Sequence, residues 1–127
     1  MISIGEYRQI VSELLDELPK EFFRELTGGV IVSTAAEVPD YARGNDLYIM
    51  GQYRRSSGIR QIVLFKGSFD RAYPQADAAR AREILRGVLR HEFRHHLEFL
   101  SGIHGSKSLE AEDARNLAEY KRRHGAP

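Results

Sequence analysis

Between Val88 and Leu100 the chain reads V-L-R-H-E-F-R-H-H-L-E-F-L, which sets His91, Glu92 and His95 in the spacing H-E-x-x-H inside a long helical period. On a helix, residues four apart stand one turn above each other on one face. Two imidazole nitrogens can therefore reach one metal ion while Glu92, beside them, takes a proton from metal-bound water. Advancing about 100° per residue from Ile84 puts Ile84, Leu85, Val88, Leu89 and Phe99 in one broad sector, with His91, Glu92 and His95 inside it or at its rim. Two imidazoles and a carboxylate on a buried face would each cost about 1–3 kcal/mol if left unsatisfied, and a metal ion satisfies them together. The plainer alternative has the histidines bonded to backbone carbonyls and Glu92 paired with an arginine. Arg82, Arg86, Arg90 and Arg94 form an i, i+4 row on the other side, as a solvated face would.

The rest of the chain limits what can hold such an ion. There is no cysteine, so thiolate sites and disulfides are excluded and any ligand must be His, Asp or Glu. At 127 residues, 42% hydrophobic and 29% charged, the chain suits one domain, residues 1–127, with a single core. Lys plus Arg number 19 against 18 Asp plus Glu, a net charge of +1, which argues against a nucleic-acid or membrane partner. No signal-like start and no run near the roughly 18 apolar residues of a membrane span is visible, so the cytoplasm is the default expectation.

In chain order, Ser3 and Glu6 form a capping box, with Ile2 and Tyr7 placed for a hydrophobic staple. Tyr7, Ile10, Val11, Leu14, Leu15 and Leu18 then repeat at helical spacing. Pro19 suits the start of a short second helix carrying Phe22, Phe23 and Leu26, which Gly28-Gly29 stops. Val30 to Ser33 is a brief strand, and residues 34 to 46 form an irregular loop of a length that serves as a lid or rim or as a plain connector. Leu47 to Tyr53 alternates as a strand, Arg54 to Gly58 makes a turn, and Ile59 to Lys66 returns as the second arm of a hairpin. Residues 67 to 70 leave the sheet, Asp77 caps the long helix, and Gly102 ends it just past Ser101. These elements predict an α+β fold, with a small, mainly antiparallel sheet between two N-terminal helices, a long active-site helix and a C-terminal helix.

That last helix, from about Leu109 to Arg122 with Ser108 as its cap, sets its apolar side with Leu109, Ala114, Leu117 and Tyr120. Glu110 and Asp113 project onto the same side, and Glu112 lies toward its edge. If the helix folds back on the active one, His95, about six residues before the first ends, and Asp113, about five after the second begins, sit at similar height. Asp113 is therefore the expected third ligand, with Glu110 the alternative. A first-turn acid such as Glu110 also suits a helix dipole. Glu98 shares the face of His91 and His95 and fits better as an acid bonded to one imidazole. His104 lies in a Gly-flanked loop within reach of the ion, whereas His96 and His124 read as packing or surface residues. No serine stands in a nucleophile elbow.

The H-E-F-R-H-H of 91–96, the opening E-Y-R-Q-I-V-S-E-L-L-D-E-L-P-K-E-F of 6–22, and the I-V-L-F-K-G-S-F of 62–69 together resemble the minimal-zincin family of small bacterial metallopeptidases. The resemblance covers most of the chain. It implies a zincin-like α+β fold, His91 and His95 as Zn2+ ligands, and Glu92 as general base. Related minimal zincins often continue H-E-x-x-H-x-x-G-x-x-D, but here Glu98 stands at the glycine position and Ser101 at the aspartate position. The third ligand is thus sought in residues 109–113. Three function classes follow: a zinc peptidase acting on peptide or protein substrates, a metal-binding module without turnover, and a basic-faced binder using the arginine row. Glu92 favours the first over the second, since a storage or structural site needs no general base. An extended peptide could add to the edge of the small sheet without a deep pocket.

Overall fold

The computed structural model of the chain describes residues 1–39, residues 48–102 and Asn116. Helix α1 (Ile4–Asp16) starts where the capping box dictates: Ser3 Oγ accepts from Glu6 N at 3.1 Å, and the Glu6 carboxylate accepts from Ser3 N at 3.5 Å. Ile2 and Tyr7, the expected staple pair, are both buried, and Tyr7, Ile10, Val11 and Leu14 make the helix's inner face. The short second helix is a single 3-10 turn, Lys20–Phe23. It cannot lengthen, because Pro19 lies at its entry and Glu25 at its exit takes a positive φ of 58°. Its two rings still pack on the long helix, Phe22 at 6.2 Å and Phe23 at 5.3 Å from Phe93 between ring centroids.

The sheet contains β1 (Gly29–Ser33), β2 (Gly51–Ser56) and β3 (Ile59–Phe65) in the order β1-β3-β2. It is mixed where a mainly antiparallel sheet was predicted. β2 and β3 form the expected antiparallel hairpin, but β1 runs parallel to β3, from Gly29 beside Gln61 to Ser33 beside Phe65. The tight hairpin already occupies one side of β3, so β1 adds to the other side and β2 becomes the edge. The turn is also tighter than expected. Arg54, Arg55 and Ser56 belong to β2, and only Ser57 (φ 48°) and Gly58 (φ 81°) turn the chain. Two consecutive positive φ values match the right-handed twist of the strands they join. The Leu47–Tyr53 strand accordingly starts later, at Gly51; upstream of it, Ile49 makes one isolated bridge to Glu37. Central β3 is the most buried strand, with Ile62 and Leu64 directed into the helix-packed core.

Lys66 does not end the strand but begins a helix, α2 (Lys66–Ala72), so residues 67 to 70 leave the sheet as expected, in helical form. Lys66 Nζ bonds the Asp70 carboxylate at 2.7 and 2.9 Å, an i, i+4 pair with little exposure. Ser68 Oγ accepts from Glu37 N at 2.8 Å and donates to Glu37 O at 3.2 Å, tying α2 to the segment after β1. Tyr7 Oη is buried with no hydrogen-bond partner among the described residues; burial, and then the Asp70 charge, push its phenol pKa up. Gly67 is where α2 meets that same segment, since a Cβ there would stand 2.6 Å from the carbonyl of Ala35 and from Thr34 O. Backbone cannot yield as a side-chain tip can, so Gly67→Ala should lower stability by about 1–3 kcal/mol, read as a lower urea midpoint at unchanged slope. An unchanged midpoint would show that the two segments separate without loss.

Helix α3 (Ala78–Ser101) has the predicted ends: Asp77 Oδ1 accepts from Arg80 N at 2.9 Å, and Gly102 takes φ 70°. Ala81, Leu85, Leu89 and Phe93 bury one face against α1 and the sheet. The arginine row is not simply solvated. Arg82 bonds Glu13, and Arg86 bonds Glu17 at 3.1 and 3.2 Å, so two of its members run along α1. Glu13 is held below the usual carboxylate range by hydrogen bonds from Gln9 and then Arg82, and Glu17 by the one from Arg86. Phe99, expected on the apolar face, is 38% exposed. Among the described residues, no helix is long and apolar enough to cross a membrane. Apart from Asn116, which is helical, the predicted C-terminal helix lies outside the described residues, as does most of the loop after β1.

Candidate active site

The alternation of β2 turns Gly51, Tyr53 and Arg55 to the side that α3 covers, each beside its β3 partner Leu64, Ile62 or Arg60. At Gly51 the two elements approach closely. A Cβ there would stand 2.8 Å from Val88 Cγ1 and 3.3 Å from Glu92 Cγ, so a missing side chain lets the edge strand lie against the glutamate. A glycine inside an alternating strand signals such an approach, and this one was passed over in the sequence.

Glu92 is buried, His95 half-buried and His91 exposed, so the triad spans the rim of the helix face instead of lying wholly inside it. The His91 and His95 rings stand 5.3 Å apart between centroids with planes 78° apart. Two imidazoles sharing one tetrahedral ion through bonds of about 2.0–2.1 Å would set their centroids about 5 Å apart, so the spacing fits a common ion. Together with Ile49, Gly51, Gln52, Tyr53 and Arg55, the triad lines a cleft of about 280 Å³. A second hollow of about 460 Å³, walled by Met50, Tyr73, Ile84 and Val88 among others, shares Gly51, His91 and Glu92 with the first. Glu92 and His91 therefore stand where two open hollows meet, beside an edge strand. A further hollow of about 680 Å³, between the end of α1 and the far side of α3, does not include the triad.

Among the described residues, no group of three or more His, Asp or Glu side chains is arranged to hold a metal ion. The structure brings together the two predicted histidines and the base. Asp113, Glu110, Glu112, His104 and His124 lie outside the described residues. Glu98, foreseen as an acid supporting an imidazole, bonds Arg94 Nε at 3.0 Å.

His96, foreseen as a packing or surface residue, packs: it is fully buried behind the cleft. Its Nε2 stands 2.7 Å from Arg24 O and its Nδ1 stands 2.6 Å from Tyr53 Oη. A carbonyl only accepts, so Nε2 carries the proton. In the neutral ring Nδ1 then accepts from the Tyr53 hydroxyl. Burial lowers the imidazole pKa below its ordinary value, and the bond to Arg24 O opposes this in part. The pair anchors Tyr53, a wall of the cleft, to the residue next to His95. It joins positions 43 and 72 residues apart, which no local pattern announces.

No protein-family model and no curated protein matches the chain. A solved structure of a conserved hypothetical protein from Thermus thermophilus is similar, with 29% sequence identity over 79% of this chain and 98% of that one and a TM-score of 0.65. It bears out the α+β architecture.

Proposed function

We propose that this chain is a zinc-dependent peptidase of zincin-like fold, in which His91 and His95 supply two ligands and Glu92 is the general base. The observation that carries this reading is the pair of imidazoles 5.3 Å apart beside a buried carboxylate, at the junction of two hollows and next to an edge strand. A bound zinc would supply Lewis acidity to the scissile carbonyl and to the attacking water. An extended substrate pairs its main chain with the outer edge of β2, which no other strand occupies among the described residues. Glu92 holds the attacking water, takes its proton, and returns that proton to the departing amine nitrogen. Gly51 keeps the strand close enough to Glu92 for the carbonyl of the paired peptide to come within reach.

The basic-faced binder loses ground to this reading, because Arg82 and Arg86 direct their charge at Glu13 and Glu17. Protein purified without a nickel column should contain one zinc per chain and cleave members of a broad peptide library. Zinc without any cleavage would make the chain a metal-binding module, and no zinc would remove both. Two imidazoles leave a catalytic site short of its usual three protein ligands. The sequence makes Asp113 the expected third ligand, so Asp113→Ala should weaken zinc affinity most, Glu110→Ala less and Glu112→Ala least, by competition with a chromogenic chelator. A larger loss in His104→Ala than in Asp113→Ala would overturn that order.

A further inference from the structure

Helix α3 carries a glycine that nothing in the protein asks for. Gly87 lies inside Ala78–Ser101, is exposed, and does not take a positive φ. Glycine weakens a helix interior relative to alanine. Close approach explains Gly51 and Gly67, but a Cβ on Gly87 would meet no described atom within 4 Å. Gly87 stands one turn before His91 in the i, i+4 row Glu83, Gly87, His91. It lines the hollow of about 460 Å³ that shares Gly51, His91 and Glu92 with the cleft, so the missing side chain widens that hollow beside the site.

The walls around the opening are apolar. Met50, Ile84 and Val88 are half-buried, and Tyr73, its ring centroid 5.8 Å from that of Phe69, is 38% exposed. All four line the hollow. Glu83, the carboxylate there besides Glu92, bonds Arg80 at 2.8 Å between two exposed side chains, so its charge is already met. The surface left to a ligand is chiefly apolar, and its burial favours an apolar group.

We propose that this hollow receives a large apolar side chain, leucyl or aromatic, of a peptide held at the site, and that Gly87 determines how large that side chain can be. The inference rests on the peptidase reading for its peptide but not on turnover. Because hollow and cleft meet at Gly51, His91 and Glu92, the side chain belongs to a residue next to the one facing Glu92. It covers Ile84 and Val88 and fills the space one helical turn, about 5.4 Å, before His91.

The test uses the full chain carrying Glu92→Gln and fluorescein-labelled nine-residue peptides of Ala and Ser with a central Phe, Leu, Ala or Lys, binding being read by anisotropy. The Phe and Leu peptides should bind about tenfold tighter than the Ala peptide. Gly87→Leu should erase that ratio and leave Ala-peptide affinity in place. Gly87→Ala should reduce the ratio while raising the urea midpoint of the unliganded protein, two effects of opposite sign that a merely structural glycine would not give. Equal binding of Phe and Ala peptides, a preference for Lys, no binding of any peptide, or a Phe preference that survives Gly87→Leu overturns the proposal. So does a lower midpoint in Gly87→Ala, which would show that the protein itself needs the glycine. Phe-selective binding that depends on Gly87, in a parent that cleaves nothing, keeps this proposal and removes the peptidase reading. Cleavage by the parent with no preference for a large apolar side chain does the reverse.

Discussion

Glu92→Gln should leave one zinc per chain and lower peptide hydrolysis about 10²–10⁴-fold, the usual contribution of a positioned general base. Glutamine keeps the size of the buried side chain and its fit against Gly51, so stability should change little; what disappears is the ability to accept a proton. His91→Ala and His95→Ala should behave oppositely, losing zinc and hydrolysis together, and with them the stabilisation that zinc lends the folded state. Isothermal titration with zinc, initial rates and thermal melts with and without chelator separate the two patterns. Full zinc occupancy in both histidine variants would sink the site. Unchanged hydrolysis in Glu92→Gln would leave the zinc assignment and remove the base.

The largest loss of stability outside the cleft is expected at His96. Its ring is fully buried and answers two groups, Arg24 O and Tyr53 Oη. His96→Ala removes ring volume from a packed site and leaves both groups without their partner, so about 3–5 kcal/mol should be lost, measured on zinc-free protein by urea denaturation. The pH dependence has a definite sign. The folded ring's pKa lies below the ordinary 6.5, so between those two values the unfolded chain binds the extra proton. Stability should therefore hold above pH 6.5 and fall as the pH drops from 6.5 toward the folded value, and His96→Ala should lack that component. A loss under about 1 kcal/mol would show that water replaces the ring at both groups.

What could be read in the sequence is what neighbours along the chain settle. The Ser3–Glu6 box, the Asp77 cap, the Gly102 stop and the shared face of His91 and His95 all depend on residues three or four apart, a separation the helix itself fixes. The hairpin was legible for the same reason, although only the backbone angles of Ser57 and Gly58 show that the turn takes two residues and gives Arg54 and Arg55 to the strand.

The tertiary structure alone decided which distant residues meet. The parallel pairing of β1 with β3, the seating of Arg82 and Arg86 on α1, the approach of Gly51 to Glu92, the Arg55–Phe99 stack and the Tyr53–His96–Arg24 bonds all join positions far apart in the chain. Periodicity tells which face of an element is apolar, but not which partner covers it, because that choice depends on the path of the whole chain and on packing against every other element at once.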